Sequence, residues 1–92
     1  MGLEREIEQW KMGGEEDFEA AQSNVREGFP RHGMFFAHLA LEKLLKAIVL
    51  KATGDIPKIH DLLRLARLAK LELSEDMAFF FGEMQEYCLA GR

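Results

Sequence analysis

Phe35-Phe36-Ala37-His38-Leu39-Ala40-Leu41-Glu42-Lys43-Leu44-Leu45-Lys46-Ala47, followed after a short break by Ile59-His60-Asp61-Leu62, decides how this chain folds. At 100° per residue, Phe36, Ala47, Ala40, Leu44, Ala37, Ile48, Leu41 and Leu45 fill one continuous half of a helix. That half reads as core. The other half mixes His38, Glu42, Lys46 and Lys43 with Phe35, Leu39, Val49 and Leu50. A helix this apolar belongs in the centre of a bundle, where charges are costly unless paired or hydrated. The four polar groups must therefore pair with one another, line a site or mark an interface, and the four apolar groups beside them call for a second covering surface.

Working outward, the helix is predicted to start near Pro30 to Gly33 and run to about Thr53, with Gly54-Asp55-Ile56-Pro57 as the loop after it. Upstream, Leu3, Ile7, Trp10, Gly14, Phe18, Ala21 and Val25 keep helical period up to the stop signal Gly28-Phe29-Pro30. Gly13 and Gly14 weaken that first helix by about 1 kcal/mol each relative to Ala. Gly14 lies on the apolar face, which suits a close helix approach. Downstream, a short third helix opens at His60 or Asp61, with Asp61 as N-cap, Leu62, Leu65, Ala66 and Ala69 inward, and Arg64, Arg67 and Lys70 outward. Ser74 caps a fourth helix that carries Met77, Phe80, Phe81, Met84 and Cys88 on one side and ends near Gly91. No strand is predicted. The fold class is all-α: an antiparallel up-and-down bundle of four helices in a single domain, residues 1–92. Bundles of this type often need one more helix to close, so an exposed groove or completion by another molecule is expected.

Charge and composition narrow the function. The chain holds 16 acidic and 12 basic side chains, a net −4, which argues against unselective nucleic-acid binding. Residues 1–28 carry eight acids against three bases, residues 42–70 seven bases against three acids, and residues 71–92 five acids against Arg92. A basic middle between acidic ends fits either internal balance and self-association or a phosphate-binding face. The lone Cys88 excludes an internal disulfide and fits a reducing compartment, and it reads as packing. The acidic N-terminus is not a signal peptide, and no apolar run approaches the ~20 residues of a membrane span, so a cytoplasmic protein is expected.

Few chemistries are encoded. His32, His38 and His60 lie in separate segments with no metal-ligand spacing, and neither common phosphate loop nor a serine nucleophile elbow is present. No metal and no cofactor is expected. His38, Glu42 and Lys46 stand at i, i+4 and i+8, and Glu42 before Lys46 is the favourable order for a helical ion pair. Lys43 points about 100° away and needs another explanation. The functional reading has Lys43 and Lys46 holding phosphate oxygens, Glu42 orienting a lysine, and His60 and Asp61 adding a donor at a helix N-terminus. Arg26 and His32, with five residues between them, have the chemistry for RNA cleavage: the His moves the 2′-hydroxyl proton and the Arg stabilises the pentacoordinate charge. They straddle a Gly-Phe-Pro turn rather than sharing a helix.

Trp10, Asp17-Phe18, Phe36, the segment Ala40-Leu41-Glu42-Lys43-Leu44-Leu45-Lys46-Ala47 and His60-Asp61-Leu62 together resemble a HEPN domain. Ile59 replaces a usual Thr, and His38 stands where many members have Gln. The resemblance spans Trp10 to Leu65 and extends weakly beyond. It implies an antiparallel bundle of four or five helices, commonly a homodimer, proposed to bind nucleotides. Many members stand beside a separately encoded minimal nucleotidyltransferase, and some such pairs act as toxin and antitoxin. Other members are ribonucleases with an Arg-x4–6-His motif late in the domain. No His follows His60 here, so Arg26 and His32 have the spacing in the wrong position, and the resemblance leans away from an enzyme. Close members continue with Arg-Tyr-Pro and a last helix, and Arg92 stands where that Arg would lie.

Overall fold

The computed structural model of the chain describes residues 2–90, the side chains of 89 and 90 excepted. It holds four helices, α1 (Gly2–Arg26), α2 (Pro30–Thr53), α3 (Leu62–Leu68) and α4 (Glu75–Ala90), and no strand among the described residues. The predicted stop near Gly91, like Arg92, lies outside the described residues.

Local chemistry sets the boundaries. After α1, Gly28 turns left-handed at φ +91°, so that its N–H reaches Val25 O (3.2 Å) and the Phe29 N–H reaches Asn24 O (2.7 Å). That pair of bonds satisfies the last carbonyls of α1, and Pro30 then opens α2 with φ already set. Asp61 caps α3, accepting the Arg64 N–H at 3.1 Å, and Ser74 Oγ accepts the Met77 N–H at 3.1 Å to cap α4.

α2 is the central element. α1 packs antiparallel along it, because two glycines let the backbones close. A Cβ at Gly14 would lie 2.7 Å from Leu44 Cγ and 3.2 Å from Ala40 O, and one at Gly33 would lie 2.6 Å from Val25 Cγ2 and 3.0 Å from Ala21 O. The double glycine does not interrupt α1, which runs unbroken. On another flank of α2, Leu45 joins Leu62, Leu65, Ala66, Phe81 and Met84 in a buried cluster that Met34, Ala37 and Leu41 edge. Gln85 Oε1 ties α4 to α3 by accepting the Leu62 N–H at 2.6 Å. Cys88 Sγ lies 3.7 Å from Met34 O, so the far end of α4 returns to the start of α2.

Several expectations are corrected here. The buried surface of α2 is not one half of its circumference. Ile48, assigned to the core half, is exposed, whereas His38, Lys46, Val49 and Leu50 from the other half are buried. The reason is that α1 and the α3–α4 unit approach α2 on two separate flanks, leaving a strip between them open. Val49 and Leu50 therefore need no second molecule to cover them. Phe18 and Val25 on the periodic face of α1, and Phe80 on the apolar side of α4, are exposed along that same open strip, and Met77 is exposed as well. The inward set of α3 is as predicted, with Leu62, Leu65, Ala66 and Ala69 all buried.

Candidate functional site

Glu42 is the hub of the polar stripe. Its Oε2 accepts from Lys46 Nζ at 3.1 Å, one helical turn away, and from His60 Nδ1 at 2.6 Å, across from the segment that precedes α3. His38 Nδ1 lies 4.0 Å from the other carboxylate oxygen. The carboxylate can only accept when ionised, so His60 carries a proton on Nδ1. Burial alone raises the Glu42 carboxyl, but the hydrogen bonds from His60 and Lys46 and the positive charge of both outweigh it. The carboxyl is held below its ordinary value.

Lys46 is only 5% exposed, and its ammonium also sits over the Trp10 ring of α1, 5.6 Å from the centroid. The aromatic face and the carboxylate together explain why a lysine is tolerated inside a thin core. Lys43 points to α1 instead. Its stem crosses that helix at Gly13, where a Cβ would come 3.3 Å from Lys43 Cδ, and its Nζ reaches Asp17 Oδ2 at 2.7 Å. The contact is an ion pair without hydrogen-bond alignment. Gln9, Trp10, Gly13 and Lys43 line a shallow depression of about 290 Å³ over this corner.

Six residues carry the sequence expectation, and the structure brings most of them together. His38, Glu42, Lys46 and His60 form one network, and Lys43 flanks it through Asp17. Asp61 stays outside, exposed, with one carboxylate oxygen on the Arg64 N–H. Arg26 ends α1 and His32 lies in the first turn of α2, both exposed, with the His32 ring edge-on to Phe29 at 5.9 Å. Trp10 and Asp17 were not singled out as site residues, yet they supply the partners of Lys46 and Lys43. The signal was present: at i and i+7 they share one face of α1 with Gly13 and Gly14. Among the described residues, no three His, Cys, Asp or Glu side chains converge to hold a metal ion, and no helix is long and apolar enough to cross a membrane.

Comparison with known proteins adds one match. The family model described as the HEPN domain matches residues 7–92. No curated protein and no solved structure matches the chain.

Proposed function

The chain belongs to the HEPN domain family, and from that footing we propose that it is a non-catalytic, cytoplasmic recognition module that binds the phosphate groups of a nucleotide or short RNA at the α1–α2 corner. The observation that carries this reading is the division of labour among the cations. Lys46 is locked between Glu42 and Trp10, whereas Lys43 lines the Gln9–Trp10–Gly13 depression and His60, on the other side of Glu42, is largely exposed. A phosphate takes donors from such groups, and an aromatic edge beside them suits a base. Glu42 and Lys46 then act as positioning residues, with His38 beside them, and Asp61 holds the start of α3 under His60.

The single tryptophan makes the test direct, because Trp10 is the only indole in the chain. Titration with ATP, the other nucleoside triphosphates and a short RNA is expected to change Trp10 fluorescence and raise the melting temperature. Lys43→Ala is expected to weaken binding about tenfold, or ~1.4 kcal/mol. Asp17→Asn, which removes the same ion pair and keeps the lysine, is expected to bind at least as well as the native chain. An unchanged Trp10 signal with every ligand would dismiss the reading. Its natural protein partner is a separately encoded minimal nucleotidyltransferase in a toxin–antitoxin-like pair, and the module works as a homodimer. Co-expression with such a neighbour and co-purification at matched stoichiometry is the check. The competing reading, a metal-independent ribonuclease using Arg26 and His32, requires RNA cleavage that His32→Ala abolishes.

A further inference from the structure

Charge is distributed unevenly around the Trp10 corner. Lys43 is the only charged residue among those lining the depression, beside Gln9, Trp10 and Gly13. Its ammonium already faces Asp17 Oδ2 at 2.7 Å, a buried carboxylate oxygen that accepts no hydrogen bond. The stripe of α1 that bounds the depression is acidic at both ends. Glu6 stands one turn before Gln9 and Trp10, and Glu16 one turn after Gly13, both exposed. The α1 base on that side is Arg5, a turn before Gln9. Over its whole length α1 carries seven acids against three bases. The other exposed bases of the basic middle segment are distant. Lys51 lies eight residues beyond Lys43, about 12 Å along α2, and the rest surround α3.

We infer that this corner selects a ligand with a single phosphate, a nucleoside monophosphate, and disfavours triphosphates and RNA strands. The inference rests on the phosphate-site reading above and narrows its ligand by charge. A monophosphate ester brings about two negative charges at neutral pH. Lys43 answers one of them and Arg5 is within reach of the other. Each further phosphoryl group adds about one charge and has no cation left to meet. In either direction along α1 it approaches Glu6 or Glu16 instead. Exposed charges act on one another within about 10 Å in ~0.1 M salt. One helical turn is about 5.4 Å, so both glutamates lie inside that reach. Repulsion of this kind sets specificity because it acts on the competitor more than on the favoured ligand. Size points the same way. The depression holds about 290 Å³, at the lower edge of small-ligand pockets, which begin at about 300 Å³. The Gln9 side-chain amide is exposed and makes no hydrogen bond among the described residues. It carries both a donor and an acceptor for the polar edge of one base set beside Trp10.

Trp10 fluorescence of the full chain, titrated with AMP, ADP, ATP and a short RNA at low ionic strength, tests the selection. Divalent cations are left out because they would mask the phosphate charge. The dissociation constant is expected to rise with each phosphoryl group, by about threefold or more from AMP to ATP. Glu6→Gln and Glu16→Gln change exposed positions, with circular dichroism as the folding control. Each is expected to narrow the gap between AMP and ATP, and the double variant to close it. Binding that tightens from AMP to ATP, or a gap that the double variant leaves unchanged, would overturn the selection while the phosphate site stood. No Trp10 response to any of the four ligands would remove site and selection together.

Discussion

Glu42 shows how one carboxylate reconciles a charged stripe with a buried helix. Its bond to Lys46 lies inside, so the cost of losing it is the cost of stranding an ammonium that has almost no access to water. Glu42→Gln is expected to destabilise the fold by about 2 kcal/mol in urea unfolding. His60→Ala removes a bridge whose histidine is mostly exposed, and about 0.5 kcal/mol or less is expected. The pH dependence follows from the lowered Glu42 carboxyl. The folded state binds its proton less readily than the unfolded chain, whose carboxyl titrates near pH ~4.3. The stabilisation is therefore complete above that value and is lost as pH falls through the lower folded value. Acid unfolding of the native chain should be steeper below pH ~4.3 than that of Glu42→Gln; parallel slopes would show that the network does not couple to folding. At this scale the stripe at i, i+4 and i+8 was readable from spacing, but its partners were not. Trp10 and Asp17 come from a helix some thirty residues away in sequence, and only helix packing puts them there.

Among the elements, the α1–α2 pair carries the tightest backbone approach. Gly33→Ala places a methyl group 2.6 Å from Val25 Cγ2 and 3.0 Å from a backbone oxygen that cannot swing aside. A loss of about 1–3 kcal/mol is expected, with a matching drop in melting temperature. α3 shows the opposite case. It ends on Lys70 at φ +59°, with the Leu71 N–H on Ala66 O at 3.0 Å, a left-handed cap built with a side chain. Lys70→Gly is expected to stabilise by about 1 kcal/mol, because glycine takes that conformation without the Cβ clash. A destabilised Lys70→Gly variant would mean that the lysine side chain makes a contact worth more than the strain. Caps and stops are the most local features here, and Gly28, Asp61 and Ser74 behave as their residue types require. Which stripe of each helix is buried is another matter. Phe18, Val25, Phe80 and Ile48 keep perfect helical period and are nonetheless exposed.

Over the whole molecule, the basic middle segment is partly spent on internal pairing. Lys43 and Lys46 answer Asp17 and Glu42, while Lys51, Lys58, Arg64, Arg67 and Lys70 stay exposed on the end of α2 and around α3. Nucleotide binding at the α1–α2 corner should therefore involve one or two cations. A slope of log K against log salt of about −1 to −2 is expected, far from the value of about −6 or beyond shown by proteins that neutralise many phosphates. A steep slope would move the site to the α3 surface. The sequence by itself determined that the chain is all-α, where α1 gives way to α2 and where α3 and α4 begin, and that it is a HEPN domain. Those features rest on periodicity, capping and short motifs, which are local or written in residue identity. Only the tertiary structure decided that α2 has two buried flanks with an open strip between them, that Lys46 is locked inward while Lys43 lies half-buried across α1, and that Trp10 and Asp17 complete the corner. Period marks the apolar stripe of a helix, but what covers each part of that stripe depends on how many helices approach it and at which angle, and residues far apart in the chain settle that together.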